Sequence, residues 1–394
     1  MKILFRNLTV LLGGTCSVLA AIMISPALPG MADAFAEVPN ADFLVKLVLT
    51  TPALFVAVGA LLVGPLLDHW GRKPVLIATL ILYSAAGSAG FFLDSLSAIL
   101  VSRALLGLAV AGIMSGFMAL IFDYFEGDAL NRFLGLNGAC VCLGGIVGLV
   151  AAGVLADFGW RYPFLIHLIA LIILPGVVFA IQDPRRATNS TTEPVTSNHL
   201  PWKRLTPVYV TAFTCTVLFF ILPAQLPFYL MDNNNVGASQ VGMALALPTV
   251  VGLVFALLYQ PLRARLSFIA IAGIIFLAYS VNHLILSVSG SYWIVIFGLI
   301  FGGIGMGLLS PNNSGWLASL APERVRGKAV GILTCSIFLG QFLSPILLQP
   351  FIQNLGLVES FRLMFGLSLT ISILFFAIEV KQTRNEPDLL ATNK

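Results

Sequence analysis

Long apolar runs without alternation constrain this chain more than any other feature. Ile77–Gly90 and Ile294–Leu309 carry no charge and show no two-residue alternation of apolar and polar positions. A helix that crosses a bilayer needs roughly 20 mostly apolar residues and satisfies its backbone polar groups internally. A membrane-spanning barrel strand would instead alternate, so these runs exclude a barrel and require helices. Composition agrees: 58% of the 394 residues are hydrophobic and 10% are charged, too few polar groups to cover a water-soluble surface. The 36 glycines and 21 prolines suit helices packed against one another in a bilayer.

The runs predict twelve spans, at 8–29, 44–67, 74–93, 97–121, 134–156, 162–181, 206–230, 238–260, 267–288, 292–312, 328–350 and 360–380. Met1–Arg6 precedes an apolar stretch that continues to about Pro29 with no small-residue cleavage site, so it reads as the first span and not as a secretory leader. With both termini cytoplasmic, only Lys46, Arg161 and Arg362 among the basic residues fall outside, and Arg103 lies within a span. The positive-inside rule favours that orientation. The net charge of +4 therefore sets topology, and no nucleic-acid partner is expected. All five cysteines (Cys16, Cys140, Cys142, Cys215, Cys335) fall in apolar runs, where packing is expected of them, and no metal or cofactor is expected.

Residues 182–204 are rich in Asn, Ser, Thr and Pro and cannot bury themselves, which predicts a cytoplasmic linker between a bundle over 1–181 and a second over 205–394. Asn189-x-Thr191 within it has the form of a glycosylation acceptor that would go unused on that side. The halves look related at an offset of 196: Gly107 meets Gly303, Arg132 meets Lys328, Gly135 meets Gly331 and Gly144 meets Gly340. Parallel repeats of this kind build transporters whose substrate site lies between the halves.

Several residues stand out chemically. Gly64-Pro65-Leu66-Leu67-Asp68-His69-Trp70-Gly71-Arg72-Lys73 joins the second and third spans. There Gly64 would permit close helix approach, Asp68 would face a helix N-terminus, Gly71 would turn the chain, and Asp123 would pair with Arg72. Arg103, two turns into the fourth span, is a charge that must face a cavity or a partner. Pro26 and Pro29 in the first span, and Pro223 and Pro227 in the seventh, remove amide donors and create kinks. Gln225 is the candidate for a substrate hydrogen bond, and Tyr83, Phe117, Phe219 and Tyr229 are candidates to line an apolar pocket. Gly107, Gly144, Gly148 and Gly153 offer small faces for helix packing. No carboxylate lies well inside a span, which leaves His167 and His283 beside Arg103 as candidate proton-coupling groups.

The Gly64–Lys73 stretch closely resembles the G-x-x-x-D-x-x-G-R-K loop of the major facilitator superfamily. Arg103-Ala104-Leu105-Leu106-Gly107 resembles the family's R-x-x-Q-G run, with Leu106 at the Gln position. Pro26/Pro29 looks like the P-x-x-P of the twelve-span drug:proton antiporter branch. The fifth span resembles the antiporter motif, with Leu149 at the Pro position and Ala152 at the first of the paired glycines. This resemblance implies an all-helical protein of two pseudo-symmetric six-helix bundles and a latch of Gly64, Asp68, Gly71, Arg72, Lys73 and Asp123. It implies a transporter and not an enzyme: a monomer in a bacterial inner membrane, exporting amphipathic or drug-like compounds against H+. A dedicated exporter of one endogenous metabolite (a siderophore, sugar or amino-acid derivative) is the alternative, and a non-transporting receptor a weaker third.

Overall fold

Most residues are helical in the computed structural model, which describes residues 2–182, 200–234 and 236–391. Among the described residues there is no strand, and twelve helices are long and apolar enough to cross a membrane. They are α1 (Ile3–Ala34), α2 (Ala41–Ala60, with its helix running on to Trp70), α3 (Arg72–Phe91), α4 (Leu96–Tyr124), α5 (Gly127–Phe158) and α6 (Tyr162–Ala180). They continue with α7 (Trp202–Asp232), α8 (Ala238–Leu257), α9 (Phe268–Val288), α10 (Tyr292–Leu320), α11 (Glu323–Leu355) and α12 (Leu357–Gln382). Many outrun the apolar segments that announce them. The helix ladder does not stop where hydropathy falls, so α10 continues past 312 and α11 begins ahead of 328. For the same reason Trp202–Arg204, expected in the linker, form the first turn of α7. The Asn189–Thr191 site lies outside the described residues.

Proline places the main break in α1. The α-helix Lys2–Ile22 gives way to a 3-10 turn at Ser25–Ala27 and resumes over Leu28–Ala34, with Pro26 and Pro29 in the opening positions of the two later pieces. A residue without an N–H is tolerated where the helix has no acceptor to offer it. In α7, Pro227 cannot donate to the carbonyl one turn earlier, that of Pro223. The Ser25 hydroxyl donates to that carbonyl instead.

Contacts group the chain into two compact units. One comprises Met1–His199, Leu222–Ala246 and Gln341–Pro345; the other comprises Leu200–Ile221, Leu247–Gly340 and Ile346–Lys394. The first has a core that includes Leu28, Met31, Val45, Leu49, Ile99 and Phe164. The second has one built around Leu205, Val208, Ala212, Leu317 and Ala329.

Each unit repeats one close helix crossing. A Cβ on Gly107 would stand 2.3 Å from the Pro52 carbonyl oxygen and 2.7 Å from the Phe55 Cβ. A Cβ on Gly303 would stand 2.8 Å from the Pro248 carbonyl oxygen and 2.6 Å from the Val251 Cβ. The pairs Gly107/Gly303, Pro52/Pro248 and Phe55/Val251 all obey the offset of 196, as do the fully buried Tyr83 and Tyr279. The α2/α4 and α8/α10 crossings are therefore the same backbone contact made twice.

Candidate functional site

Two adjacent glycines open a cavity in the first unit. Gly13 and Gly14 of α1 leave room for side chains from α4 and α5: a Cβ on Gly13 would meet the Phe117 ring at 2.1 Å, and one on Gly14 would meet Asn137 Oδ1 at 2.7 Å. The resulting cavity, about 160 Å³, is lined by Ser17, Met114, Phe117, Met118, Ile121, Asn137 and Val141 besides the glycines. Asn137 Oδ1 is buried without a hydrogen-bond partner. An unpaired amide oxygen in an apolar wall is costly unless something donates to it, so the cavity is shaped for an apolar body carrying a donor.

Arg103 is completely buried, and its chemistry is unlike that of a free charge. Its Nη2 donates to the carbonyls of Ala86 and Gly87, at 3.0 and 2.6 Å. Those carbonyls belong to the last turn of the α-helix Arg72–Ser88, where the backbone tightens into the 3-10 turn Ala89–Phe91. A cation is favoured there by the helix dipole. The guanidinium also lies 4.8 Å from the centre of the Phe164 ring, and the room for Phe164 comes from Gly90. Nε and Nη1 have no partner, and no carboxylate pairs with Arg103 among the described residues.

His167 lies against the same turn: a Cβ on Gly87 would be 2.4 Å from the His167 Cβ. Its Nδ1 is 2.9 Å from the Phe164 carbonyl, which only accepts, so Nδ1 carries the hydrogen and Nε2 of the neutral ring is an acceptor without a partner. Tyr83 packs 5.3 Å from that ring and donates to the Cys16 carbonyl at 3.0 Å. Arg103, His167 and Tyr83 thus form one buried polar cluster joining α1, α3, α4 and α6. The second unit answers differently at the equivalent place. Asn282, at the offset position of Ala86, donates to the Gly298 carbonyl at 2.8 Å. His283 is buried beside it, 6.3 Å from the Phe361 ring. His167 and His283 therefore belong to separate clusters, one in each unit.

At the α2–α3 turn, Gly71 has φ 91° and ψ 166°, a conformation that a side chain would strain. It directs Arg72 toward α4, where Nε lies 3.0 Å from Asp123 Oδ2 with both side chains about a quarter exposed. Lys73 Nζ donates to the Val178 carbonyl of α6 at 2.6 Å. Asp68 stands exposed in the last turn of the α2 helix. Gly64 departs from expectation: nothing lies within 4 Å of where its Cβ would be, so this glycine makes no close helix approach here.

Three glycines in the later part of α5 do make close approaches. A Cβ on Gly144 would be 2.8 Å from Thr15, one on Gly148 2.4 Å from Leu19, and one on Gly153 2.7 Å from the Ala238 carbonyl oxygen of α8. Gly242 of α8 reciprocates, facing the Leu149 carbonyl oxygen at 2.5 Å and Gly153 Cα at 2.9 Å. Just beyond, both carboxylate oxygens of Asp157 lie 3.3 Å from the Ser239 amide in the first turn of α8. Pro26, Pro29 and Gln225 are buried, and Gln225 Nε2 has no partner.

Sequence reasoning overlooked three groups. Lys46, which sequence reading used only to assign sidedness, is 5% exposed within α2, its ammonium 4.9 Å from the centre of the Phe228 ring. Its position near the start of an apolar run hid the burial. Asn137 sits in a Gly-rich stretch that reads as packing. Asn312 and Asn313 follow Pro311 in α10; both amide atoms of Asn313 and the Oδ1 of Asn312 are buried without partners. Two adjacent amides after a mid-span proline were the signal available for that pair.

Twelve spanning helices, repeated crossings and buried polar clusters define a membrane transporter, and comparison with known proteins names its family. The Major Facilitator Superfamily model matches residues 10–231 and 208–392, so the chain belongs to that superfamily, whose members are transporters and not enzymes. It is 27% identical to the quinolone resistance protein NorA of Staphylococcus aureus over 297 residues, 72% of this chain and 74% of that one. Among solved structures it resembles a D-xylose-proton symporter (TM-score 0.78, 14% identity, covering 95% of this chain and 97% of that chain). The nucleoside transporter NupG is similar (TM-score 0.78, 11% identity, 94% and 99% covered). At such identities the two structures speak for the fold alone.

Proposed function

We propose that this chain exports small amphipathic or drug-like compounds by alternating access, driven by proton entry. The observation that carries this reading is the α1/α4/α5 cavity, where methionine and phenylalanine walls surround one unpaired amide oxygen and no carboxylate. Flexible thioethers and an aromatic face accept varied apolar shapes, and a single hydrogen-bonding group asks little of the substrate. The similarity to a quinolone resistance protein points the same way. In this reading the bundles over 1–181 and 205–394 move against each other, with Gly64, Asp68, Gly71, Arg72, Lys73 and Asp123 as the latch. H+ is the coupling ion, with Arg103, His167 and His283 as the candidate coupling groups. Pro26, Pro29 and Gln225 add to the substrate path. The protein works as a monomer in a bacterial inner membrane, both termini in the cytoplasm.

One observation favours a second reading. A cavity of 160 Å³ is small beside the roughly 300–1,000 Å³ of ordinary ligand pockets. A dedicated exporter of one small endogenous metabolite, a sugar or amino-acid derivative, would need no more. The test is reconstitution in liposomes containing a pH-sensitive dye, with an imposed proton gradient and a panel of lipophilic cations, neutral drugs and metabolites. Proton movement dependent on several unrelated amphipathic compounds, weakened by Asn137→Ala, is the expected result. Response to one metabolite alone would establish the second reading, and silence across the panel would remove proton-coupled drug export.

A further inference from the structure

At the start of α7 the chain exposes Trp202, Lys203 and Arg204 in succession. Beside them a groove of about 420 Å³ runs between α7, α9, α10 and α12. Its walls are Pro207, Ile269, Trp316, Leu320, Phe375 and Ile378, with Gln382 at the rim. The walls are held in place: Phe375 stacks on Phe276 at 5.6 Å and meets Trp316 edge-on at 6.5 Å. Neither Lys203 nor Arg204 forms an ion pair among the described residues. Glu379, next to Ile378 on α12, accepts a hydrogen bond from Ser267 Oγ at 2.5 Å.

We infer that this end of the second unit holds a site for one anionic phospholipid, its acyl chain in the groove and its phosphate on Lys203 and Arg204. The chemistry selects the occupant. A groove lined by aromatic and aliphatic side chains gains nothing from water, and in a membrane-spanning chain the molecules that reach it carry hydrocarbon tails. Two cations that pair with no carboxylate among the described residues stand at its mouth and favour an anion there. An indole beside them is the usual marker of headgroup depth. A zwitterionic lipid brings its own cation to the same place, and inorganic phosphate leaves the groove unfilled. The site is independent of the compound transported, because it uses no residue of the α1/α4/α5 cavity.

The test is native mass spectrometry of the detergent-purified full chain, titrated with phosphatidylglycerol, with phosphatidylcholine of the same acyl chains, and with inorganic phosphate. One phosphatidylglycerol should be retained in preference to phosphatidylcholine. Its affinity should fall about fivefold for each of Lys203→Gln and Arg204→Gln, and further in the double variant. Lys203→Arg should keep it, which separates loss of charge from loss of fold. Ile378→Trp, which fills the groove from an exposed position, should weaken lipid binding. Equal retention of both lipids, or undiminished binding by the double variant, overturns the site. Full displacement of the lipid by inorganic phosphate assigns the two cations to a free anion and overturns it equally.

Discussion

Arg103 shows how one residue supports two readings that only its neighbours separate. As a charge inside a span it suggests proton coupling, yet its donors go to two carbonyls at the end of a helix. Removing a charged, buried hydrogen-bonding group of that kind costs about 1.5–3 kcal/mol. Arg103→Ala is therefore expected to lower the unfolding midpoint in detergent clearly, and Arg103→Lys, which keeps the charge but not the fork, to lower it less. An unchanged midpoint with proton coupling lost would make Arg103 a coupling residue and not a brace. Asn137 predicts the opposite pattern. Its oxygen has no partner, so Asn137→Leu should leave stability within about 1 kcal/mol while reducing substrate-dependent flux. A large stability loss in that variant would show a structural amide.

Among elements, the glycines divide into those that a turn or a close helix crossing uses and those, such as Gly64, with open space around them. Gly71 holds a backbone conformation available almost only to glycine, and Gly71→Ala should cost about 1–3 kcal/mol, read as a lower unfolding midpoint. Gly153 meets the backbone of α8, so Gly153→Leu should force α5 from α8 and depress both stability and flux, whereas Gly64→Ala should leave the unfolding midpoint unchanged. A silent Gly153→Leu would show that this crossing yields easily. Hydropathy located every spanning helix because crossing a bilayer demands an apolar run. It misjudged where helices end because helical hydrogen bonding continues into polar flanks, as in α10 and α11. The Ser25–Pro223 bond was beyond sequence reading, although both prolines that shape it were visible: a freed carbonyl is local, but its donor comes from another helix.

At the scale of the whole molecule, the proposed latch rests on a partly exposed pair, and such pairs contribute only about 0–1 kcal/mol to stability. Its value is therefore expected in the transport rate. Asp123→Arg should slow flux with little change in the unfolding midpoint, and the exchange Arg72→Asp with Asp123→Arg should restore part of the rate. An exchange that restores nothing would leave the pair no role in conformational change. The sequence by itself determined the solvent, the twelve helices, the repeat offset and the family. Each follows from composition, periodicity or contiguous motif, and each of those lies along the chain. Only the tertiary structure decided that Gly13 and Gly14 make room for Asn137, that Arg103 braces a helix end beside His167, and that Lys46 is buried against Phe228. Those are relations between helices. They depend on which faces meet at distances of a few ångströms, and in a chain where nearly every face is apolar, hydropathy does not say which.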